Sequence, residues 1–245
     1  MAKKGKVFIG TSGWAYNHWI DVFYPEDLKQ KDWLDFYIKH FSTVELNASF
    51  YHLPKPKTFS NWREKTSKDF IFAVKASRFI THVKKLRNCK EPWQRFIDAA
   101  KNLKENLGPI LFQLPPFLKA NPKVLEDFLE ILSKKKYLYT LELRHKSWFC
   151  DEIYKILKKY NVALCIADSP HWPTEEIITS NFVYIRFHGG QILYGSEYSL
   201  KELKAWARKI KKWLKQKLDV YVYFNNDAQG FAVKNARQLV RLLKK

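Results

Sequence analysis

The sequence predicts an α/β fold, a single (β/α)8 TIM-type barrel, from three observations. Eight short apolar, β-branched and aromatic runs recur along the chain, and helical stretches with a one-sided apolar stripe separate them. The length, 245 residues, suits one such barrel of about 250 residues. The runs are Val7 to Gly13, Thr43 to Phe50, Phe70 to Ser77, Pro109 to Leu114, Tyr139 to Arg144, Ala163 to Asp168, Phe182 to His188 and Asp219 to Asn225. Most are nearly continuous in apolar residues, the pattern of parallel strands buried on both faces under covering helices.

The intervening stretches read as helices. Trp93, Phe96, Ile97, Ala100, Leu103 and Leu107 fall at alternating three- and four-residue steps, as do Leu203, Trp206, Ile210 and Trp213, with lysines and arginines between them. Such spacing marks one buried face. Asn121-Pro122 before Lys123 to Lys136, and Ser199 before Leu200 to Leu218, supply an N-cap or an early proline. After Asp168, with Pro170 and Pro173 following, no regular helix is expected. Right-handed crossovers closing into a barrel satisfy this alternation. An open doubly wound sheet is the competing arrangement, but Gly10-Thr11-Ser12-Gly13-Trp14 stands where a GxGxxG turn would. Residues 1–245 are read as one domain.

A composition of 46% hydrophobic and 16% aromatic residues excludes a disordered chain. The start, MAKKGKVFIG, lacks the apolar segment of a secretory signal, and no run approaches the roughly 18 apolar residues of a membrane span. The expected location is cytoplasmic, with no membrane partner. Cys89, Cys150 and Cys165 are an odd count without CxxC spacing, which favours reduced structural thiols over a disulfide or zinc framework. The charge of +20, from 44 Lys+Arg against 24 Asp+Glu, invites anionic partners. Runs such as Lys134-Lys135-Lys136, Lys158-Lys159 and Lys211-Lys212 equally fit a solvated surface of the thermophilic kind. Charge alone does not establish nucleic-acid binding.

In such a barrel the active site is built at the C-terminal strand ends and the loops after them. The first run presents Ser12, Gly13, Trp14 and Tyr16, the second Glu45 and Asn47, then Phe50 and Tyr51. The third presents Lys75 and Ser77 with Thr81 and His82 beyond, the fourth Gln113, and the fifth Glu142 and Arg144 before Trp148. The sixth ends in Asp168, the seventh in Arg186 and His188, and the eighth in Asn225, Asn226 and Asp227. Burying so many ionisable groups without partners would cost several kcal/mol per charge. Alternation sends Glu142 and Arg144 to one side of their strand, and Arg186 and His188 to one side of theirs. A structural ion-pair network filling the barrel uses the same residues.

Gly10-Thr11-Ser12-Gly13-Trp14 with Tyr16 and Trp19, then Val44-Glu45-Leu46-Asn47 with Phe50-Tyr51 and Pro54, resembles the opening of the YecE-like family, domain of unknown function 72 (DUF72). Further matches follow in order. They are Phe72 to Ala76 with Thr81-His82, Leu111 to Pro116, Leu141-Glu142-Leu143-Arg144-His145 with Trp148, Tyr184 to Gly189, and Tyr223 to Asp227 with Ala232 and Asn235-Ala236. The resemblance implies a TIM-type barrel and a soluble bacterial or archaeal protein. It implies no reaction.

The residues themselves favour an enzyme acting on a phosphorylated or other anionic substrate, with nucleic-acid phosphodiesters among the candidates. Glu142 and His188 are the acid/base candidates, Arg144 and Arg186 the stabilisers of developing negative charge, and Asp227 joins this catalytic set. Gly189-Gly190 and Asn226-Asp227-Ala228-Gln229-Gly230 follow the two strands whose loops commonly hold phosphate, although such glycines also make tight turns. The substrate-binding candidates are Ser12, Trp14, Glu45, Asn47, Tyr51, Lys75, His82, Gln113, Trp148, Asp168, Gly189, Asn225 and Asn226. Glu45, Glu142, Asp168, His188 and Asp227 offer donors for a divalent metal, but no HExxH-like spacing supports one and no metal site is assigned. His18, His40, His52 and His171 read as surface or packing residues. Aromatics such as Trp14, Tyr16, Phe50, Tyr51, Trp148, Trp172 and Tyr194 suit either packing or stacking on a base or sugar. A sugar or sugar-phosphate isomerase or lyase, and a non-catalytic nucleic-acid binder, remain as alternatives. Partner, cofactor and oligomeric state are otherwise open.

Overall fold

The computed structural model describes residues 4–244. Its strands are β1 (Val7–Thr11), β2 (Thr43–Leu46), β3 (Ile71–Lys75), β4 (Leu107–Gln113), β5 (Tyr139–Glu142), β6 (Ala163–Asp168), β7 (Phe182–Phe187) and β8 (Asp219–Phe224). Its α-helices are α1 (Trp33–Tyr37), α2 (Ala48–Tyr51), α3 (Pro56–Glu64), α4 (Lys90–Ala100), α5 (Pro122–Ser133), α6 (Asp151–Lys159), α7 (Leu200–Lys215) and α8 (Phe231–Lys244). The strands are hydrogen-bonded in the order β1-β8-β7-β6-β5-β4-β3-β2. Every registered pair is parallel. This is the α/β fold of TIM type that the alternating pattern predicts. Among the described residues no α-helix stands between β6 and β7, where Pro170 and Pro173 withhold two backbone donors.

Two boundaries depart from expectation: the helical stripe expected to run from Trp93 to Leu107 ends as α-helix at Ala100, a 3-10 segment with Lys104 at φ 49° follows, and Leu107 opens β4. The second run was expected to stay extended to Phe50, but β2 stops at Leu46 and Ala48–Tyr51 form the short helix α2. Thr43 to Phe50 alternates polar and apolar residues at period two, the pattern of a strand, so nothing in the local period marks where the chain leaves the sheet. Asn47, with φ −97° and ψ −18°, turns the chain.

The described chain forms two compact units. One comprises residues through Glu45, Ala167–Thr174 and Phe182 onward. Here β1 pairs with β8 and β8 with β7, with Thr11 opposite Phe224 and Arg186 opposite Tyr223. Alternation splits β7 into two faces. Phe187 points to the helices, its ring 5.1 Å from Trp206 of α7. Tyr184 and Arg186 point the other way, where Thr43 Oγ1 also meets the Tyr223 hydroxyl at 2.7 Å. Helix α7 buries Leu203, Trp206, Ala207, Ile210, Trp213 and Leu214, the stripe its spacing predicts. Its start carries a capping box: the Ser199 hydroxyl accepts from the Glu202 amide, and the Glu202 carboxylate accepts from the Ser199 amide.

The other unit comprises Leu46–Ile166 and Glu175–Asn181. It holds β3, β4, β5 and most of β6, in parallel register with Gln113 opposite Glu142. Phe112 turns outward to Trp93 of α4 and Phe128 of α5, at 5.9 and 5.0 Å between ring centres. Gln113 and Glu142 take the opposite face by the same alternation. Asn121 caps α5 by accepting from the Val124 amide at 3.0 Å, and Pro122 opens the helix. Cys89 and Cys165 are buried, Cys150 is exposed, and all three are free thiols. Burial pushes the Cys89 thiol up to about 11, which suits a structural role.

Candidate functional site

In the first unit, Glu45 is fully buried at the end of β2. Its Oε1 accepts from the Ser12 hydroxyl at 2.8 Å and from Arg186 Nη2 at 2.8 Å, and its Oε2 accepts from the Tyr184 hydroxyl at 2.6 Å. Three charge-assisted bonds offset the desolvation of the carboxylate. Removing one partner of such a buried pair costs roughly 3–5 kcal/mol. Two residues read as substrate contacts, Ser12 and Glu45, are therefore committed to holding the Arg186 guanidinium. Burial, with the Glu45 charge second, pushes the Tyr184 hydroxyl far above its ordinary value, so it remains a donor.

His188 follows β7 and is also fully buried. Asn225 donates from Nδ2 to His188 Nδ1 at 3.2 Å, which leaves the proton of the neutral ring on Nε2. Trp172 and Tyr194 flank the ring edge-on at 5.2 and 5.6 Å. Asp168 accepts from the Trp206 indole at 3.0 Å, and its carbonyl accepts from the His188 amide. The Gly189 amide donates to the Tyr198 hydroxyl at 3.1 Å. With φ +95° and Ile192 O only 2.3 Å from where a Cβ would stand, Gly189 serves a tight turn. Its amide is engaged within the fold, so the expectation that it cradles an anion is corrected. Asn226 is likewise structural: it is buried and donates to Ser196 O and Asn235 Oδ1.

Asp227 forms a separate cluster with a residue the sequence reading assigned to the surface. Trp19 Nε1 donates to Oδ1 at 2.8 Å, and His18 Nε2 lies 3.0 Å from Oδ2 and 2.9 Å from the Asp227 carbonyl oxygen. A carbonyl only accepts, so Nε2 carries a proton. Burial raises the Asp227 carboxyl to about 6, against the lowering pull of the Trp19 indole and of His18. His18 lies in the loop after β1, 209 residues away. Its place in a strand-end loop was the only available signal.

In the second unit, Lys75 ends β3 with its Nζ 4.0 Å from the centre of the Phe50 ring. Phe50 packs edge-on against His82 at 5.1 Å. His82 sits in a single π-helical turn, Phe79–Val83, with Nδ1 2.9 Å from the Thr81 hydroxyl. At the end of β5, Arg144 Nε donates to Glu142 Oε1 at 2.6 Å, and its Nη2 lies 2.6 Å from the same oxygen in an ion pair. Glu142 is fully buried, and Gln113 beside it nearly so. Burial, then Lys75, Arg78 and Arg144, lower His82 to about 4. Its imidazole is therefore neutral at pH 7, in a positive field. Asn47 stands just before α2 without a side-chain cap bond, and among the described residues its buried Oδ1 accepts no hydrogen bond. Trp148 is buried and donates to Leu118 O at 2.7 Å, so it packs. Tyr51 is 74% exposed. Trp14 in the first unit is half-buried, its carbonyl accepting from the Tyr24 hydroxyl. Among the described residues no three or more His, Cys, Asp or Glu side chains are grouped to hold a metal ion, so the divalent-metal option gains no ligand cluster. No helix among them is long and apolar enough to cross a membrane.

Eight parallel strands alternating with helices, and ionised side chains at the strand ends, define the class as a TIM-type α/β protein. The chain belongs to the DUF72 family, "Protein of unknown function DUF72", whose profile matches residues 8–245. It is similar to UPF0759 protein YunF of Bacillus subtilis, at 27% identity over 97% of this chain and 94% of that protein. It is also similar to UPF0759 protein YecE of Escherichia coli K12, at 26% over 84% and 82%. A crystal structure of a DUF72 family protein from Thermotoga maritima MSB8 is 32% identical and covers 98% of this chain and 100% of that one, with a TM-score of 0.88.

Proposed function

We propose that the protein is an enzyme acting on an anionic substrate, with phosphoester hydrolysis as the reaction class, and that the ends of β3, β4 and β5 carry the chemistry. The observation behind this reading is His82, kept neutral to about pH 4 by burial and by Lys75, Arg78 and Arg144. Such a field attracts an anion and strengthens as charge accumulates in a transition state. Lys75 and Arg144 bind the phosphoryl oxygens. Glu142, bound to Arg144 at 2.6 Å, holds the guanidinium in place rather than moving a proton, which revises its acid/base assignment.

His82 is the proton carrier. Water adds to phosphorus while its proton passes to the imidazole, the ester P–O bond breaks, and the imidazolium returns the proton to the leaving oxygen. The products are an alcohol and a phosphate. General acid–base assistance of this kind contributes about 10²- to 10⁴-fold.

The test is turnover of bis-p-nitrophenyl phosphate and of labelled single- and double-stranded DNA and RNA, with and without divalent metal. The expected result is hydrolysis that falls at least about 10²-fold in His82→Ala and in Lys75→Met, with unchanged circular dichroism. Hydrolysis of none of these esters, or full activity in both variants, defeats the reading.

A further inference from the structure

The second unit contains a cavity of about 470 Å³ that shares no residue with the Lys75–His82–Arg144 group. It lies between the π-helical turn Phe79–Val83 and the start of α4. Its walls are of two kinds. Phe96 supplies a buried aromatic wall, and Phe79 stands at its edge 47% exposed. Lys84, Asn88, Glu91 and Arg95 supply the polar part. Among the described residues none of these four makes a side-chain hydrogen bond or ion pair, although Glu91 and Arg95 stand four apart on one helix, the spacing at which such pairs form. Lys84 Nζ instead hangs 5.6 Å from the Phe79 ring centre.

The segment between turn and helix is fixed. Lys85, Leu86 and Asn88 all take left-handed φ of 50°, 69° and 51°, a conformation that non-glycine residues keep only where their surroundings hold them. Leu86 and Cys89 are buried and anchor it. The volume falls within the range of small-molecule sites, about 300–1,000 Å³.

We infer that this cavity binds a nucleoside monophosphate. Lys84 and Arg95 bind the phosphate, the exposed face of Phe79 stacks on the base, and Glu91 accepts from the ribose hydroxyls while Asn88 serves the base edge. Each contact uses what the wall offers: two cations for a dianion, one aromatic face for a planar ring, one carboxylate for a diol. The inference is independent of the reaction proposed above.

Isothermal titration calorimetry of the full chain with AMP, dAMP, adenosine and inorganic phosphate tests it. AMP should bind, with adenosine and phosphate each at least about tenfold weaker. Arg95→Gln and Lys84→Gln should each weaken AMP about tenfold or more, Phe79→Ala by several-fold, and Glu91→Gln should remove the preference for AMP over dAMP. All four positions are at or near the surface, so the variants should fold, as thermal melting will show. Absence of AMP binding overturns the inference. So does an affinity that survives Arg95→Gln and Lys84→Gln, or one that is lost in Lys75→Met alone.

Discussion

Asp227 shows what a single buried carboxyl does to the molecule. Its value of about 6 lies above the ordinary 3.8, so the folded protein holds its proton more tightly than the unfolded chain does. The stability this contributes is full below about pH 4 and is lost as pH rises through about 6. Asp227→Asn removes that dependence. Thermal melting from pH 4 to 7 should show the wild type losing stability relative to the variant, by roughly 1–3 kcal/mol across the window; parallel curves would refute it. The sequence exposed Asp227 as a strand-end acid, because an isolated charge after an apolar run is visible. It could not expose His18 and Trp19 as its partners, because a contact across more than 200 residues leaves no local pattern. Glu45 illustrates the same limit. Its residue type and position were legible, but its commitment to Ser12, Tyr184 and Arg186 turned a presumed substrate contact into a fastening for the guanidinium.

At the scale of the element, helices were legible where period and cap agree. Helix α7 has both, and its capping box makes Ser199 a measurable contributor. Ser199→Ala should destabilise the fold by about 1 kcal/mol, read as a lower urea midpoint with unchanged slope. No change in midpoint would mean that packing of Trp206, Ile210 and Trp213 alone fixes the helix. Elements with neither signal were missed. Helix α2 hides inside a run that alternates at the period of a strand. The π-helical turn at Phe79–Val83 arises because the chain must turn back to bury Ile80 and Thr81 while keeping His82 beside Phe50, a demand set by tertiary packing. Such turns recur at functional positions, and this one serves two: His82 lies on the strand-end side, and Phe79 lines the cavity.

For the molecule as a whole, the fold class followed from eight runs and their spacing, since only parallel strands under helices bury continuous apolar segments on both faces. The net charge of +20 said less, because a solvated lysine and a site lysine count alike. Structure separates them: Lys75 is nearly buried against Phe50, whereas Lys201, Lys204 and Lys212 of α7 face water. The field that matters is the local one at His82. A histidine lowered from 6.5 to about 4 contributes stability that is present above about pH 6.5 and lost as pH falls toward 4, and it meets an anion at neutral pH as a free base. The direct measurement is an NMR pH titration of His82, assigned by comparison with His82→Ala, with and without inorganic phosphate, in the wild type and in Lys75→Met. A bound anion should raise the His82 value by about one unit or more in the wild type and by clearly less in Lys75→Met. A value near 4 that phosphate leaves unmoved, or one that begins near 6.5, would contradict an anion site at the ends of β3, β4 and β5.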